Sequence, residues 1–488
     1  MQPPLGVFDM ARYDNNLVVI GGGSAGLIAA YIAATVRARV TLIERDRMGG
    51  DCLNTGCVPS KTLLASARTA ALMRDAGRFG ITPVEPEVDF AAVMNRVRSA
   101  VARIAPKDSF ERYQSLGVDC VAGDARLVDA HHVAVAGRVL STRSIVLATG
   151  ARPFVPPVPG LAEVSPLTSD SVWSLTERPA RLLVMGGGPI GCELAQAFAR
   201  LGSQVTLIDL EPRVLPREDA DVGAAVAAAL VADGIDLRLA HRAIRVEPDP
   251  AGGGRLIAET TAGTTAIEFD RILVAVGRRA NTAGLGLEEL GIRTALGGTL
   301  EVDAYLRTSC PTVWACGDCV GPYQFTHMAS HQAWYASVNA LFGWARKFRV
   351  NYDIVPWTTY TEPEVARVGL SEDDARRAGP PFEITRFPFD DHDRSIADGR
   401  TEGFIKVLTE PGRDRMLGVT IVGQHAGELL AEYVFAMSKG LGLGALMSTI
   451  HVYPTLAESA KLTAGAWRKA HAPQFALRIA EFIHGLRR

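Results

Sequence analysis

Short apolar runs that end in a glycine turn organise the first two thirds of the chain. One reads Leu17-Val-Val-Ile-Gly-Gly-Gly-Ser-Ala-Gly26; it leads into an alanine-rich stretch and then Arg39-Val-Thr-Leu-Ile-Glu44. The other reads Leu182-Leu-Val-Met-Gly-Gly-Gly-Pro-Ile-Gly191, followed by a helical pattern over 192–201 and Gln204-Val-Thr-Leu-Ile-Asp209. An apolar run without polar alternation predicts a parallel strand buried on both faces, so each segment predicts a strand–turn–helix–strand unit. Further strands of this kind are predicted at 144–150, 271–277 and 313–318. Between the units, residues 151–160 carry four prolines, which marks a connection and not the interior of an element. After about residue 350 the texture changes: 358–369 and 418–423 read as strands, and 427–439 as an amphipathic helix.

The glycines of the two turns have separate tasks. In each turn the first (Gly21, Gly186) allows a tight bend, and the second (Gly23, Gly188) lets the backbone approach a pyrophosphate. The third (Gly26, Gly191) lets helix and strand pack closely. The following helix directs free N–H groups and the positive end of its dipole at the phosphates. In each unit an acid, Glu44 or Asp209, falls 18 positions after the last glycine, where it can accept from a ribose hydroxyl. Two complete fingerprints predict an α/β protein with two Rossmann-like dinucleotide-binding domains, the second inserted in the first. The expected boundaries are 1–155 with 282–350 for the first domain and 156–281 for the second. An α+β domain without a nucleotide fingerprint follows at 351–488.

Composition bounds the rest. A chain of 488 residues suits about three domains. Its formal net charge of −2 gives no electrostatic footprint for nucleic acid. No apolar run approaches the roughly 18 residues of a membrane span, and residues 1–16 show no signal-peptide core. A cytoplasmic location is the expectation. The seven cysteines are too scattered for a secreted disulfide framework.

One cysteine pair sits in a setting that suggests chemistry, in Gly49-Gly-Asp-Cys52-Leu-Asn-Thr-Gly-Cys57-Val-Pro-Ser-Lys61. Pro59 suits the first turn of a helix, which places Cys57 at a helix N-terminus, where a thiolate is favoured. Lys61, four residues on, shares its face. The Cys316-Gly-Asp-Cys319 pair has metal or redox spacing on paper, but the Gly317-Asp318 step accounts for it better, with the cysteines as small neighbours. No metal site is expected.

The cysteine segment resembles the active-site loop of the class I pyridine nucleotide–disulfide oxidoreductases, which include dihydrolipoamide dehydrogenase, glutathione reductase and mercuric reductase. The resemblance extends over both fingerprints, Ala148-Thr-Gly150, Val276-Gly-Arg278 and Gly317-Asp318. It implies that Cys57 is the flavin-proximal thiol and Cys52 the outer thiol that exchanges with substrate. It implies that Lys61 approaches the flavin with Glu193 as its ion partner. Gly21, Gly23, Ser24, Ala25, Gly26, Glu44, Gly50, Lys61, Thr149, Gly150, Gly317 and Asp318 would hold FAD. Gly186, Gly188, Ile190, Gly191, Glu193, Asp209 and Gly277 would hold NADH or NADPH. Asp209 at the ribose favours NADH, with Arg213 close enough to leave NADPH open. A homodimer is implied, in which the C-terminal segment completes the partner subunit's site.

The substrate end departs from the disulfide-handling pattern. In Thr449-Ile-His451-Val-Tyr453-Pro-Thr-Leu-Ala-Glu458 the partner glutamate is in place, but Tyr453 stands where those relatives have a histidine, and His451 comes two residues early. A histidine titrates near neutrality and a tyrosine near 10. A tyrosine here resembles mercuric reductase, and Tyr113 matches a second tyrosine of that branch. No cysteine follows Cys319, so the C-terminal cysteine pair of that branch is missing. The expected function is FAD-dependent NAD(P)H oxidation coupled, through a Cys52–Cys57 disulfide, to reduction of a small-molecule disulfide or a thiophilic metal ion. Dihydrolipoamide dehydrogenase and a flavoprotein redox sensor with little turnover are the alternatives. The basic, amphipathic tail at 475–488 predicts a helix packed on the body or capping the dimer, with contact to a membrane surface as the lesser alternative.

Overall fold

The computed structural model describes residues 13–488; most of the 1–16 segment, read above as lacking a signal-peptide core, lies outside the described residues. The first glycine unit forms a parallel sheet in the order Asp119–Ala122, Val40–Glu44, Asn15–Ile20, Arg138–Leu147 and Val313–Ala315. Leu17, Val18, Val19 and Ile20 are all buried, as a continuous apolar strand requires. Alternate side chains serve opposite faces. Val18 and Ile20 pack with Val133, Val135 and Leu285 on one side. Leu17 and Val19 pack on the other with Ala29 and Ala33 of helix Ser24–Thr35 and Ala333 and Ala336 of helix Thr326–Phe342.

The chain leaves this sheet after Leu147 and returns to it at Val313. In between it builds a second parallel sheet, ordered Asp236–Arg238, Gln204–Ile208, Arg181–Met185, Arg271–Val274, with a three-stranded antiparallel sheet beside it. The short pair Ala151–Pro153 and Arg278–Ala280 links the two crossing points. The C-terminal part is a five-stranded antiparallel sheet, ordered Pro356–Thr359, Glu364–Gly369, Met416–Gly423, Phe404–Thr409, Glu383–Pro388. Helices Ala426–Ser438 and Glu458–Ala470 share its core through Leu430, Tyr433, Ala460 and Ala464.

Helix Cys57–Arg74 sets the site. Leu63 and Ala67 pack with Leu194 and Phe198 of helix Pro189–Arg200, and Val365, Phe404 and Val422 of the antiparallel sheet close the same core. One apolar contact region therefore fixes the cysteine helix against both other parts of the molecule. The tail forms the expected helix, Gln474–Leu486, but none of its residues is buried. Its stripe of Phe475, Ile479, Phe482 and Leu486 is exposed, so packing on the body of its own chain is not what the structure shows. No described helix is long and apolar enough to cross a membrane.

Candidate functional site

The cysteines lie on two consecutive helices, Gly50–Asn54 and Cys57–Arg74. Pro59 falls in the first turn of the second, so Cys57 is its first residue. Both thiols are free. Cys57 Sγ lies 3.3 Å from Thr326 Oγ1, the first residue of its helix. The hydrogen bond from Cys52 draws the Cys57 thiol down to about 6, with Thr326 and the Lys61 ammonium assisting, against burial and the Asp51 carboxylate. Cys52 is pushed up, because it gives its hydrogen to Cys57, is partly buried and faces the resulting negative charge. The pair thus has one thiolate and one thiol near neutral pH. The sign gives a test: the thiolate is present above the depressed value and lost as pH falls through it. Alkylation of the reduced protein by iodoacetamide at Cys57 should follow a midpoint near about 6; a midpoint near the ordinary thiol value of about 8.5 would remove the assignment.

Lys61 Nζ is 2.8 Å from Glu193 Oε2. Glu193 is buried on helix Pro189–Arg200, and its other oxygen accepts from the Tyr360 amide at 2.9 Å. The ammonium also stands 4.3 Å from the centre of the Tyr360 ring. Asp51 is held by Arg278 at 2.8 Å and by the Thr55 hydroxyl at 2.6 Å. The same guanidinium reaches Asp318 at 3.8 Å. Arg278 therefore offsets two carboxylates beside the thiols.

A cleft runs along the carboxyl ends of the first sheet. Gly21, Gly23, Ser24, Ala25 and Glu44 line one end; Gly50 and Cys52 form a wall; Thr149, Gly150, Gly317 and Asp318 lie opposite. Glu44 accepts from the Gly22 and Asp46 amides at 2.5 and 2.8 Å. The cleft fits a dinucleotide by two observations. Gly23 and Gly150 line it without side chains, and a Cβ on Gly150 would meet only open space, whereas one on Gly21, whose φ is +111°, would lie 2.3 Å from the Ala148 carbonyl oxygen and one on Gly26 1.7 Å from that of Gly21. Helix Ser24–Thr35 also begins without a side-chain cap, which leaves its first N–H groups for a phosphate. Gly26 is thus a packing glycine behind the cleft.

The second fingerprint repeats this pattern. A Cβ on Gly191 would lie 1.8 Å from the Gly186 carbonyl oxygen, while Gly188 and Gly277 border open space. Helix Pro189–Arg200 has no side-chain cap, and Ile190 is in its first turn. Asp209 accepts from the Gly187 amide and, at 2.7 Å, from that of Glu211. Arg213 donates to Asp373 at 3.1 Å and to the Pro216 carbonyl.

The C-terminal residues divide. Tyr453 is 64 % exposed, and its hydroxyl donates to Asp393 at 3.0 Å. Glu458 opens helix Glu458–Ala470 and acts on the buried His392. The His451 side chain is 6 % exposed and turns to Glu432, with Nε2 at 3.0 Å. The structure does not bring Tyr113 to the thiols. It is buried in the core with Leu17, Leu42 and Val118, and burial pushes its phenol up to about 12. Cys316 and Cys319 are fully buried, and Cys319 Sγ lies 3.2 Å from the Cys316 carbonyl oxygen. Thr326, Tyr360, Arg278 and Asp393 are contacts that sequence reasoning missed. Each reaches its contact from a distant element; Arg278 lies in the Val276-Gly-Arg278 motif noted above, without a contact having been assigned to it, and no local pattern marks the other three.

The pyridine nucleotide-disulphide oxidoreductase family model matches residues 15–333, and the dimerisation domain of the same family matches 355–464. The chain is similar to a dihydrolipoyl dehydrogenase from Thermus scotoductus, with 36% identity over 94% of this chain and 98% of that protein. It is similar to a mercuric reductase from Streptomyces lividans, with 34% identity over 92% of this chain and 95% of that protein. Among solved structures it is similar to the Cu(II) complex of the HOCl-induced flavoprotein disulfide reductase RclA from Escherichia coli, with a TM-score of 0.80 and 29% identity over 91% of this chain and 98% of that one.

Proposed function

Since this chain belongs to the pyridine nucleotide-disulphide oxidoreductase family, its chemistry is FAD-dependent electron transfer from a nicotinamide dinucleotide to a disulfide centre, and we propose that NADH is the donor and a thiophilic metal ion the acceptor. Bound FAD supplies the two-electron transfer between dinucleotide and disulfide. Gly21, Gly23, Ser24, Ala25, Gly50, Thr149, Gly150, Gly317 and Asp318 would hold it, with Glu44 on its ribose. The hydrogen bond from Cys52 is the main support of the Cys57 thiolate, and the Lys61–Glu193 pair assists it by keeping an ammonium nearby. Cys52 keeps its proton until substrate takes the sulfur, and two soft thiolates then suit a soft or borderline cation.

The observation that carries the acceptor is the state of the C-terminal segment. Tyr453 stands exposed, while His451 is turned away into the contact with Glu432. With that histidine turned to Glu432, the exposed side chain of the segment is the tyrosine. In the homodimer of this reading, Tyr453 and Glu458 complete the partner subunit's site beside Cys52. The copper-bound RclA structure supports a metal ligand for this architecture. The donor rests on Asp209 and Arg213: the acid occupies the ribose end, and the arginine that would welcome a 2′-phosphate is bound to Asp373.

A dithiol-oxidising reading has one point in its favour: His451 carries a carboxylate partner, as a general base does. Steady-state assays separate the two readings. NADH oxidation is measured with Hg(II), Cu(II), lipoamide and glutathione disulfide in parallel, and repeated with NADPH. Metal turnover should exceed lipoamide turnover, and NADH should exceed NADPH by at least about tenfold in kcat/KM. Lipoamide turnover faster than metal turnover would overturn the acceptor.

A further inference from the structure

Tyr453 is held by a second segment of the chain, 60 residues away. Asp393 accepts the phenol hydrogen at 3.0 Å, and Arg394 Nη1 donates to the Pro454 carbonyl at 3.2 Å. The neighbouring His392 is buried at 1 % exposure, with Nδ1 2.9 Å from Ser395 Oγ. It packs beside Thr455 and Glu458. Three consecutive residues thus grip the loop that carries the tyrosine. Arg394 is braced in turn by Asp398 at 2.8 Å.

We propose that Asp393 is the positioning residue that makes Tyr453 an acceptor-only group, and that this sets the site's preference for metal ions over disulfides. A phenol has one hydrogen to donate. With that hydrogen on Asp393, the oxygen turns its lone pairs outward. The inference rests on the reading that Tyr453 serves the partner subunit's dithiol.

The proton balance of the two reactions shows why this matters. Reduction of a divalent ion to the metal by NADH gives NAD+, the metal and one proton. The cation leaves the thiolates with two electrons, and no substrate atom takes up a proton. Reduction of a disulfide consumes a proton. The S–S bond breaks, each sulfur gains one electron of the transferred pair, and two thiols leave with NAD+. The departing thiolate must be protonated, so that reaction gains from a donor beside Cys52. Asp393 removes the one donor that Tyr453 has. Burial pushes His392 down from the ordinary histidine value, against Glu458, Asp393 and the Thr455 backbone, and its side chain is enclosed, away from solvent. Tyr453 itself is pushed up by the Asp393 carboxylate.

The test uses the FAD-loaded full chain. Asp393→Ala should lower the ratio of Hg(II) to lipoamide kcat/KM by about tenfold, the worth of one hydrogen bond to a charged group. Metal turnover falls through a raised KM, and lipoamide turnover rises through kcat. Asp393→Asn keeps an acceptor oxygen and should recover most of the ratio. In a Tyr453→Phe background, Asp393→Ala should change nothing further. Flavin reduction by NADH, read in the same preparations, reports whether each variant is folded and loaded. An unchanged ratio in Asp393→Ala, or an effect that persists undiminished with Tyr453→Phe, overturns the inference. A wild-type protein without metal turnover defeats the proposed acceptor instead. The positioning role is then judged on lipoamide alone, where Asp393→Ala must still raise kcat through Tyr453.

Discussion

Cys57→Ser should stop turnover with every acceptor, by at least about 10³-fold, because in the proposed relay Cys57 is the sulfur on the flavin side. The effect is chemical, not structural. The Cys57 sulfur meets hydrogen-bonding groups, Cys52 and Thr326, that a serine hydroxyl can also engage. Cys52→Ser should lose turnover to the same extent, yet the two variants should differ in colour. In Cys52→Ser the remaining Cys57 has no disulfide partner and keeps Lys61 and Thr326 beside it, so the oxidised protein should show long-wavelength thiolate–flavin absorbance. In Cys57→Ser that absorbance should be missing. Cys57→Ser turning over within tenfold of wild type, or both variants showing the band, would falsify the order assigned to the thiols.

The second large effect is on stability. Lys406 is 1 % exposed, and its ammonium lies 2.7–2.8 Å from Asp219, Asp221 and Glu372. It joins the antiparallel sheet to the start of helix Ala220–Ala232 beside the second parallel sheet. Lys406→Met fits the apolar length of the side chain but leaves Asp219 without its cation, while Asp221 keeps Arg386 and Glu372 keeps Arg376. Removing one partner from a buried ion pair costs about 3–5 kcal/mol. Burial pushes the Asp219 carboxyl up, but the Lys406 ammonium and the amides of Asp373 and Glu372 bring it below its ordinary value. A depressed carboxylate contributes stability above its unfolded value near 3.9, and that contribution is lost as pH falls through the folded value. Urea unfolding should therefore show a loss of about 3–5 kcal/mol near pH 7 that shrinks below about pH 4. A loss under 1 kcal/mol at neutrality, or one that grows on acidification, would show that the acids relax into water.

What the sequence made legible follows from range. The two glycine units are local: strand, turn, helix and terminal acid lie within about thirty residues, and each glycine's task is set by backbone geometry. They appear in the structure as read. Cys57 at a helix start is equally local, because Pro59 dictates it. The pairing of Lys61 with Glu193 spans 132 positions. Residue spacing alone does not reveal it; resemblance to the family did, and helix packing through Leu63 and Phe198 explains it. Resemblance misled at Tyr113, and locality did not reach the surroundings of His451 or of the tail. Tyr113 sits in a polar-looking stretch, Glu-Arg-Tyr-Gln, yet its ring falls on the inward face of a short helix. The direction of His451 depends on Glu432 of another helix. The tail pattern announced an amphipathic helix, but periodicity names a face and not what covers it.

The grip of residues 392–394 on the Tyr453 loop has an evolutionary consequence. Electron entry is built from the two glycine units and the cysteine helix, whereas both parts of the grip belong to the C-terminal antiparallel domain. On the proposed roles of Tyr453 and Asp393, a change of the tyrosine, its aspartate or the loop's length would alter acceptor preference without touching the residues proposed to hold flavin and dinucleotide. The two segments must change together, because a new side chain at 453 meets whatever stands at 393. On that proposal, acceptor choice belongs to a pair of sites within one domain.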